Sequence, residues 1–217
     1  VYGTRMVGGA RVFVSTNGSD NKYLYVAMVL SEGQINGVSQ LLIDDNVITI
    51  SSLDHGVVRT CTTGKHNDRL KVQFFDGRDN QVSSSLLQEA PNWTSDHKLS
   101  GLAYLALRFE WKKITDQASA DNNPYGGGIP NVKAVIQGKK IFDAKTLTSS
   151  HSTAYASETE VFTNNPVSVL LDYMRNPRYG KGLANSAFNF ATWKTAADLC
   201  DQTVTYLSAT TGKAFTC

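Results

Sequence analysis

Over the first two thirds of the chain, apolar residues fall in short runs separated by turn formers; a helical spacing appears only past His151. Residues 23–30 form the longest unbroken apolar run, too short for a typical helix, which predicts a strand buried on both faces. Asn36-Gly37 suits the positive φ angles of a tight hairpin turn, with strand signal resuming at 38–43 and 47–50 around Asp44-Asp45-Asn46. Residues 57–63 and 70–75 add two more short strands. From Asp76 to Lys98 the chain turns polar, with Leu86, Leu87 and Trp93 as its anchors. Leu105, Leu107, Phe109 and Trp111 alternate with Ala106, Arg108 and Glu110, the period of two that puts one face on a core and one in water. Residues 113–129 read as a loop containing Gly126-Gly127-Gly128. Residues 132–136 and 140–142 flank Gln137-Gly138, a second hairpin signal.

The helical part has clear boundaries. Asn165 is an N-cap and Pro166 suits the first helical position, where its missing N–H costs nothing. Val167, Leu170, Leu171 and Met174 then fall at i, i+3, i+4 and i+7, and Pro177 stops the helix. A second helix starts after Asn189 and carries Phe190, Trp193, Ala197 and Cys200 inward. Many strands followed by two helices predict an α+β fold with a mostly antiparallel, barrel-like sheet. The division expected is a β-rich domain over 1–163 and a helical segment over 164–217 packed on the same core.

Composition narrows the function classes. Hydrophobic content of 41% and charged content of 18% belong to a globular chain, and a net charge of +2 gives no electrostatic argument for nucleic acid or an anionic membrane. The longest apolar run is far short of the ~18 residues a membrane helix needs. Cys61, Cys200 and Cys217 form neither a C-x-x-C pair nor an even set, so buried free thiols are the expectation. Val1 at the start and the strand-like 213–217 at the end read as a fragment of a longer protein.

No catalytic, cofactor or metal site assembles from the residues. Asp54-His55 and His66-Asn67-Asp68 lie in turn-like polar surroundings, and His97 and His151 stand alone. Asp44-Asp45-Asn46 lacks the ligand spacing of a calcium loop. The glycine run precedes a strand rather than a helix, so it has no helix N-terminus to hold a phosphate. Arg175, Arg178 and Lys181 with Tyr173 and Tyr179 are the one basic–aromatic cluster, placed where cations complement a helix C-terminus.

One combination is more specific. Residues 164–182, NNPVSVLLDYMRNPRYGKG, resemble a hallmark of phage tail-tip attachment proteins of the J type, the central hub proteins of lambda-like long non-contractile tails. The signature residues are Pro166, Asn176, Pro177, Arg178, Tyr179 and Gly180. The helix at 190–202, the turn at 30–38 (LSEGQINGV), residues 101–107 and residues 129–143 are similar to further blocks of that family in the same order. The resemblance implies a homotrimeric virion protein at the distal end of the tail, working without a cofactor. It would close the tube, contact the distal tail, tube and tape measure proteins, and let DNA pass at ejection without binding it stably. Host-receptor contact is implied only for domains absent here, and an insertion that some relatives carry near 113–128 is missing.

Two other classes remain open at this point. A carbohydrate- or receptor-binding module of a phage tail would use exposed aromatics such as Trp93 and Tyr125. A wall hydrolase would need an acid/base pair, and none is placed.

Overall fold

The computed structural model describes residues 1–113, 115, 117, 123–125, 128–147, 160–205 and 210–217. Two compact units divide these residues: Val1 with Arg5–Gln137, and Tyr2–Thr4 with Gly138–Cys217. The boundary therefore falls at Gln137/Gly138, inside a strand, and not at 163. The second unit is assembled from both flanks of the first.

The first unit contains two sheets. One runs in the order β2 (Ala10–Asn17), β3 (Tyr23–Glu32), β8 (Leu102–Glu110), β7 (Leu70–Asp76), β6 (Val58–Thr60), antiparallel throughout. The other orders β1 (Thr4–Val7), β9 (Val132–Lys139), β4 (Ile35–Ile43) and β5 (Asn46–Ile48). They face each other over one core built from Val26, Met28, Leu41, Ile43, Val72, Phe74, Leu105, Leu107, Ala134 and Ile136. The α+β expectation of a mostly antiparallel β-rich domain followed by two short helices holds, the strands being arranged as two facing sheets. Each fully buried Leu, Ile or Phe here contributes about 1.5–3 kcal/mol of transfer free energy.

A second cluster lies on the other face of the five-stranded sheet: Tyr25, Ala27, Phe75, Tyr104 and Ala106 pack against Leu86, Leu87, Ala90 and Trp93. Phe75 and Tyr104 stack with centroids 4.6 Å apart. Strand β8 is thus buried on both sides from Ala103 to Leu107, where the alternation of its sequence predicts one face in water. Ala106 is small because it meets a second core, not because it meets solvent.

Residues 77–99 form the cover for that second core. They contain one short 3-10 turn, Leu87–Glu89, so most of their backbone groups have no regular partner. Two buried glutamines provide for them. Gln73 Nε2 donates to the Gly56 carbonyl (2.7 Å) and Ser85 Oγ (3.2 Å), while its Oε1 accepts from Ser84 Oγ (2.6 Å) and the Leu86 amide (3.2 Å). Gln81 Nε2 reaches the carbonyls of Lys98, Leu99 and Leu102, and its Oε1 accepts from the Gly77 amide.

Both hairpin signals are misplaced. Asn36 and Gly37 lie within β4 and the turn before it is at Gly33, whose φ is +77 and whose amide donates to the Gly101 carbonyl at 2.7 Å. Gln137 and Gly138 lie within β9, and among the described residues 140–142 contribute a single bridge, Ile141 to Val161. The Asp44-Asp45 turn does form, with both residues at positive φ between β4 and β5. Strands β1 and β2 have no counterpart in the sequence reading. Gly126, Gly127 and His151 lie outside the described residues.

In the second unit, helices α1 (Pro166–Arg175) and α2 (Phe190–Cys200) share a separate core: Phe142, Ala144, Leu147, Leu171, Phe190 and Ala197. The inward face of α1 is Ser168, Leu171 and Asp172; Leu170, expected inside, is 51% exposed. A hairpin of β10 (Thr203–Thr205) and β11 (Thr211–Lys213) follows α2.

Gln73→Leu keeps the volume but strands the Leu86 amide and Ser84 hydroxyl, each orphaned group costing about 1–3 kcal/mol. The expected outcome is a loss of roughly 2–4 kcal/mol in urea unfolding, with amide exchange accelerating over 84–90 before the rest of the sheet.

Candidate functional site

The strongest sequence signature, 176–182, closes helix α1. Asn165 caps the other end, its Oδ1 accepting from the Val167 amide at 3.0 Å, and Pro166 occupies the first turn. At the C-terminus Asn176 Oδ1 accepts from the amides of Arg178 (2.9 Å) and Tyr179 (3.3 Å). The chain then doubles back: Lys181 N–H bonds the Tyr173 carbonyl, Gly180 and Gly182 that of Asn176, and Leu183 that of Met174. The carbonyls of Tyr173, Met174 and Asn176 at the helix end are thereby satisfied. Gly180 is required by this close approach, since an added β-carbon would lie 1.7 Å from the Tyr173 oxygen.

Four polar side chains of the second unit converge beside this turn. Lys139 Nζ donates to both oxygens of Asp172 (3.0 and 3.2 Å) and to the Tyr179 hydroxyl (2.7 Å). Tyr179 donates to Asp172 Oδ2 at 2.8 Å, and Tyr2 donates to the same oxygen. The Tyr2 and Tyr179 rings meet edge-on, and Lys139 lies 5.4 Å from the Tyr179 centroid. Tyr179 does not lay its ring onto the apolar helix face as its position suggests; the ring is 45% exposed and its hydroxyl is the anchored part.

Burial raises the Tyr2 hydroxyl far above the usual tyrosine range, and its bonds to Asp172 and Tyr179 push it further. Burial also raises Tyr179, against the pull of Lys139. For Lys139 burial opposes the charge, yet its oxygen partners outweigh burial and raise it. Tyr2, Tyr179 and Lys139 hold their protons firmly, and Asp172 accepts from all three. Oδ2 takes all three donors and Oδ1 takes Lys139 alone. A groove of about 260 Å³ opens beside it, lined by Lys139, Glu160, Asp172, Arg175, Asn176 and Asn185. Arg175 Nε donates to Asn185 Oδ1 at 2.9 Å.

The histidine candidates separate. His55 does not pair with Asp54, which binds Arg59; it lies 2.8 Å from Asp76, which also takes Arg78 and Gln34. Burial opposes the Asp76 charge, but Arg78, Gln34 and His55 bring its carboxyl down to about 2. His66 is buried, 2.8 Å from the Tyr125 hydroxyl, and burial lowers it. His97 caps the turn at Thr94. Among the described residues no three His, Cys, Asp or Glu side chains converge as ligands for a metal. Cys61 is buried and Cys200 and Cys217 half-buried, all free thiols. Trp93 and Tyr125, the candidate platforms for a sugar, are each 6% exposed and belong to cores.

No protein-family profile matches the chain, and no curated protein does. Seven chains of solved structures match. One, in a structure described as the virion of a native gene transfer agent particle, aligns at 16% identity over 80% of this chain and 38% of that one, with a TM-score of 0.46. The chain spans well under half the length of that virion chain.

Two outcomes are expected of the cluster. Gly180→Ala forces the returning backbone off Tyr173 and costs about 2–3 kcal/mol in thermal or urea unfolding, whereas Tyr179→Phe, losing one hydroxyl, costs less. Tyr2, Tyr179 and Lys139 all have raised pKa values, so the unfolded chain releases their protons first as pH rises. It then binds fewer protons than the native state, and stability falls with pH. The contribution is whole below about pH 10, the unfolded tyrosine and lysine range, and is lost above it. A Tyr2→Phe/Tyr179→Phe chain should show a shallower alkaline limb in a pH series of melting temperatures.

Proposed function

We propose that this chain is a structural protein of a phage-like virion, part of the hub that closes the distal end of a tail, and not an enzyme. The observation that carries the reading is the 176–182 turn. The segment most like the J-type hub signature folds as a helix cap, with its polar side chains bonded to neighbours in the same unit. Asp172, Lys139, Tyr2 and Tyr179 bond to one another in a closed set of contacts, an arrangement suited to a load-carrying element. Assembly with other virion proteins follows from this reading, as do a ring of three copies about the tail axis and passage of DNA through its channel. Burial of Trp93 and Tyr125 removes the aromatics on which a carbohydrate-binding reading relied.

The test is cryo-electron density of the particle whose genome encodes the chain. Three copies around the tail axis at the distal end are expected; a single peripheral copy, or absence from purified particles, would overturn the hub reading.

A further inference from the structure

We infer that the first unit binds an extended peptide segment of another protein along the outer edge of β2, taken up as a sixth strand of the sheet. The segment alternates apolar residues and carries an acidic residue that faces Arg11. Two observations converge on this edge.

The first is the ladder itself. Strand β2 is an edge strand, paired with β3 alone, and among the described residues no backbone group of residues 10–17 bonds outside that pairing. Its eight residues span roughly 27 Å at 3.4 Å each. Edge strands are ordinarily blunted by shortness, proline or charge. The other edges of the unit's two sheets follow that rule: β5 and β6 have three residues each and β1 has four. From Phe13 to Asn17 β2 carries neither proline nor charge, and its one irregularity is the bulge between Arg11 and Phe13.

The second is the surface next to the ladder. Val14 pairs with Val26 and Arg11 with Met28, which puts them on the side of the sheet that faces the inter-sheet core. β2 contributes no residue to that core, and Val12 and Val14 stay 52% and 46% exposed. A cleft of about 330 Å³ opens there, walled by Val26, Met28, Phe109, Ile129 and Pro130, with Ile129 itself 44% exposed. A strand added to β2 would lay every second side chain over this apolar surface while its backbone satisfied the free ladder groups. Arg11 is the one ionisable side chain in the cleft and on the strand, and no described residue bonds or pairs with it. A carboxylate in the incoming segment completes it.

A library of random twelve-residue linear peptides panned against the 217-residue chain tests this. Enriched peptides should alternate apolar residues and carry Asp or Glu at a fixed place, and on binding they should slow amide exchange over 12–17. Arg11→Glu should weaken the selected peptide at least two- to five-fold, roughly the worth of an exposed ion pair, and should shift enrichment toward Lys and Arg. Val12→Lys/Val14→Lys, at exposed positions, should abolish binding with the melting temperature unchanged. Absence of enrichment, protection elsewhere in the chain, or indifference to Arg11→Glu would overturn the inference. So would protection of the same amides in the peptide-free chain as its concentration rises, which would make the edge a self-association surface. Peptide capture by a chain that is absent from virions would overturn only the hub reading, and a hub chain that captures none would overturn only this one.

Discussion

From Ala103 to Leu107 strand β8 has no face in water, and most of the first unit is arranged to make that tolerable. Leu105, Leu107 and Phe109 point into the core between the sheets, while Tyr104 and Ala106 point into the cluster on the far side. One side is covered by the second sheet, whose backbone is satisfied by its own ladder. The other is covered by 77–99, which has almost no ladder to offer. An irregular segment laid on an apolar surface brings amides and carbonyls that water can no longer reach, each expensive if left alone. Gln73, rising from β7, and Gln81, within the cover, supply four bonds apiece at those points. The two-sided burial of the sheet thus depends on two amide side chains.

The second unit solves a related problem at the end of a helix. The signature turn satisfies the last carbonyls of α1 with main-chain amides, and Asp172, whose side chain is 8% exposed, is compensated by Lys139 and two phenols. Removing one partner from such a group generally costs more than the group ever contributed, because the remaining charge stays out of water. Residues held this way favour one geometry at the helix end.

Some of this was legible in the sequence and some was not, for definite reasons. Tyr23 to Leu30 announces a strand buried on both faces because its apolar run is unbroken. The caps at Asn165 and around Pro177 are legible because capping is local chemistry. The face of β8 that carries Ala106 is not, since alanine between larger residues imitates a solvent-facing position. Asn36-Gly37 and Gln137-Gly138 look like turns but lie on neighbouring strands, where the Asn36 side-chain amide donates to Gln137 Oε1. Dipeptide signals record what a backbone tolerates, and tertiary pairing decides what it adopts. β2 is invisible to pattern reading because its valines are exposed. The partners of the Tyr179 hydroxyl lie at Lys139, Asp172 and Tyr2, and no local rule links residues 40 or 177 positions apart.

The nesting of one unit within the other has a consequence for how the chain is made. Everything the first unit needs has been synthesised once residue 137 is in place, and its strand pairings are available from then on. The second unit must wait for its helices, and Tyr2 and Gly3, which precede the first unit in sequence, wait with them. Tyr2 meets Asp172 across 170 residues of sequence. A chain tethered only at its ends would meet a large loop-closure entropy, growing with the logarithm of the intervening length. An already folded first unit replaces that floppy loop with a short-circuited one, whose two exits leave a compact body. A first unit that is already folded thus shortens the search by which the outer one closes.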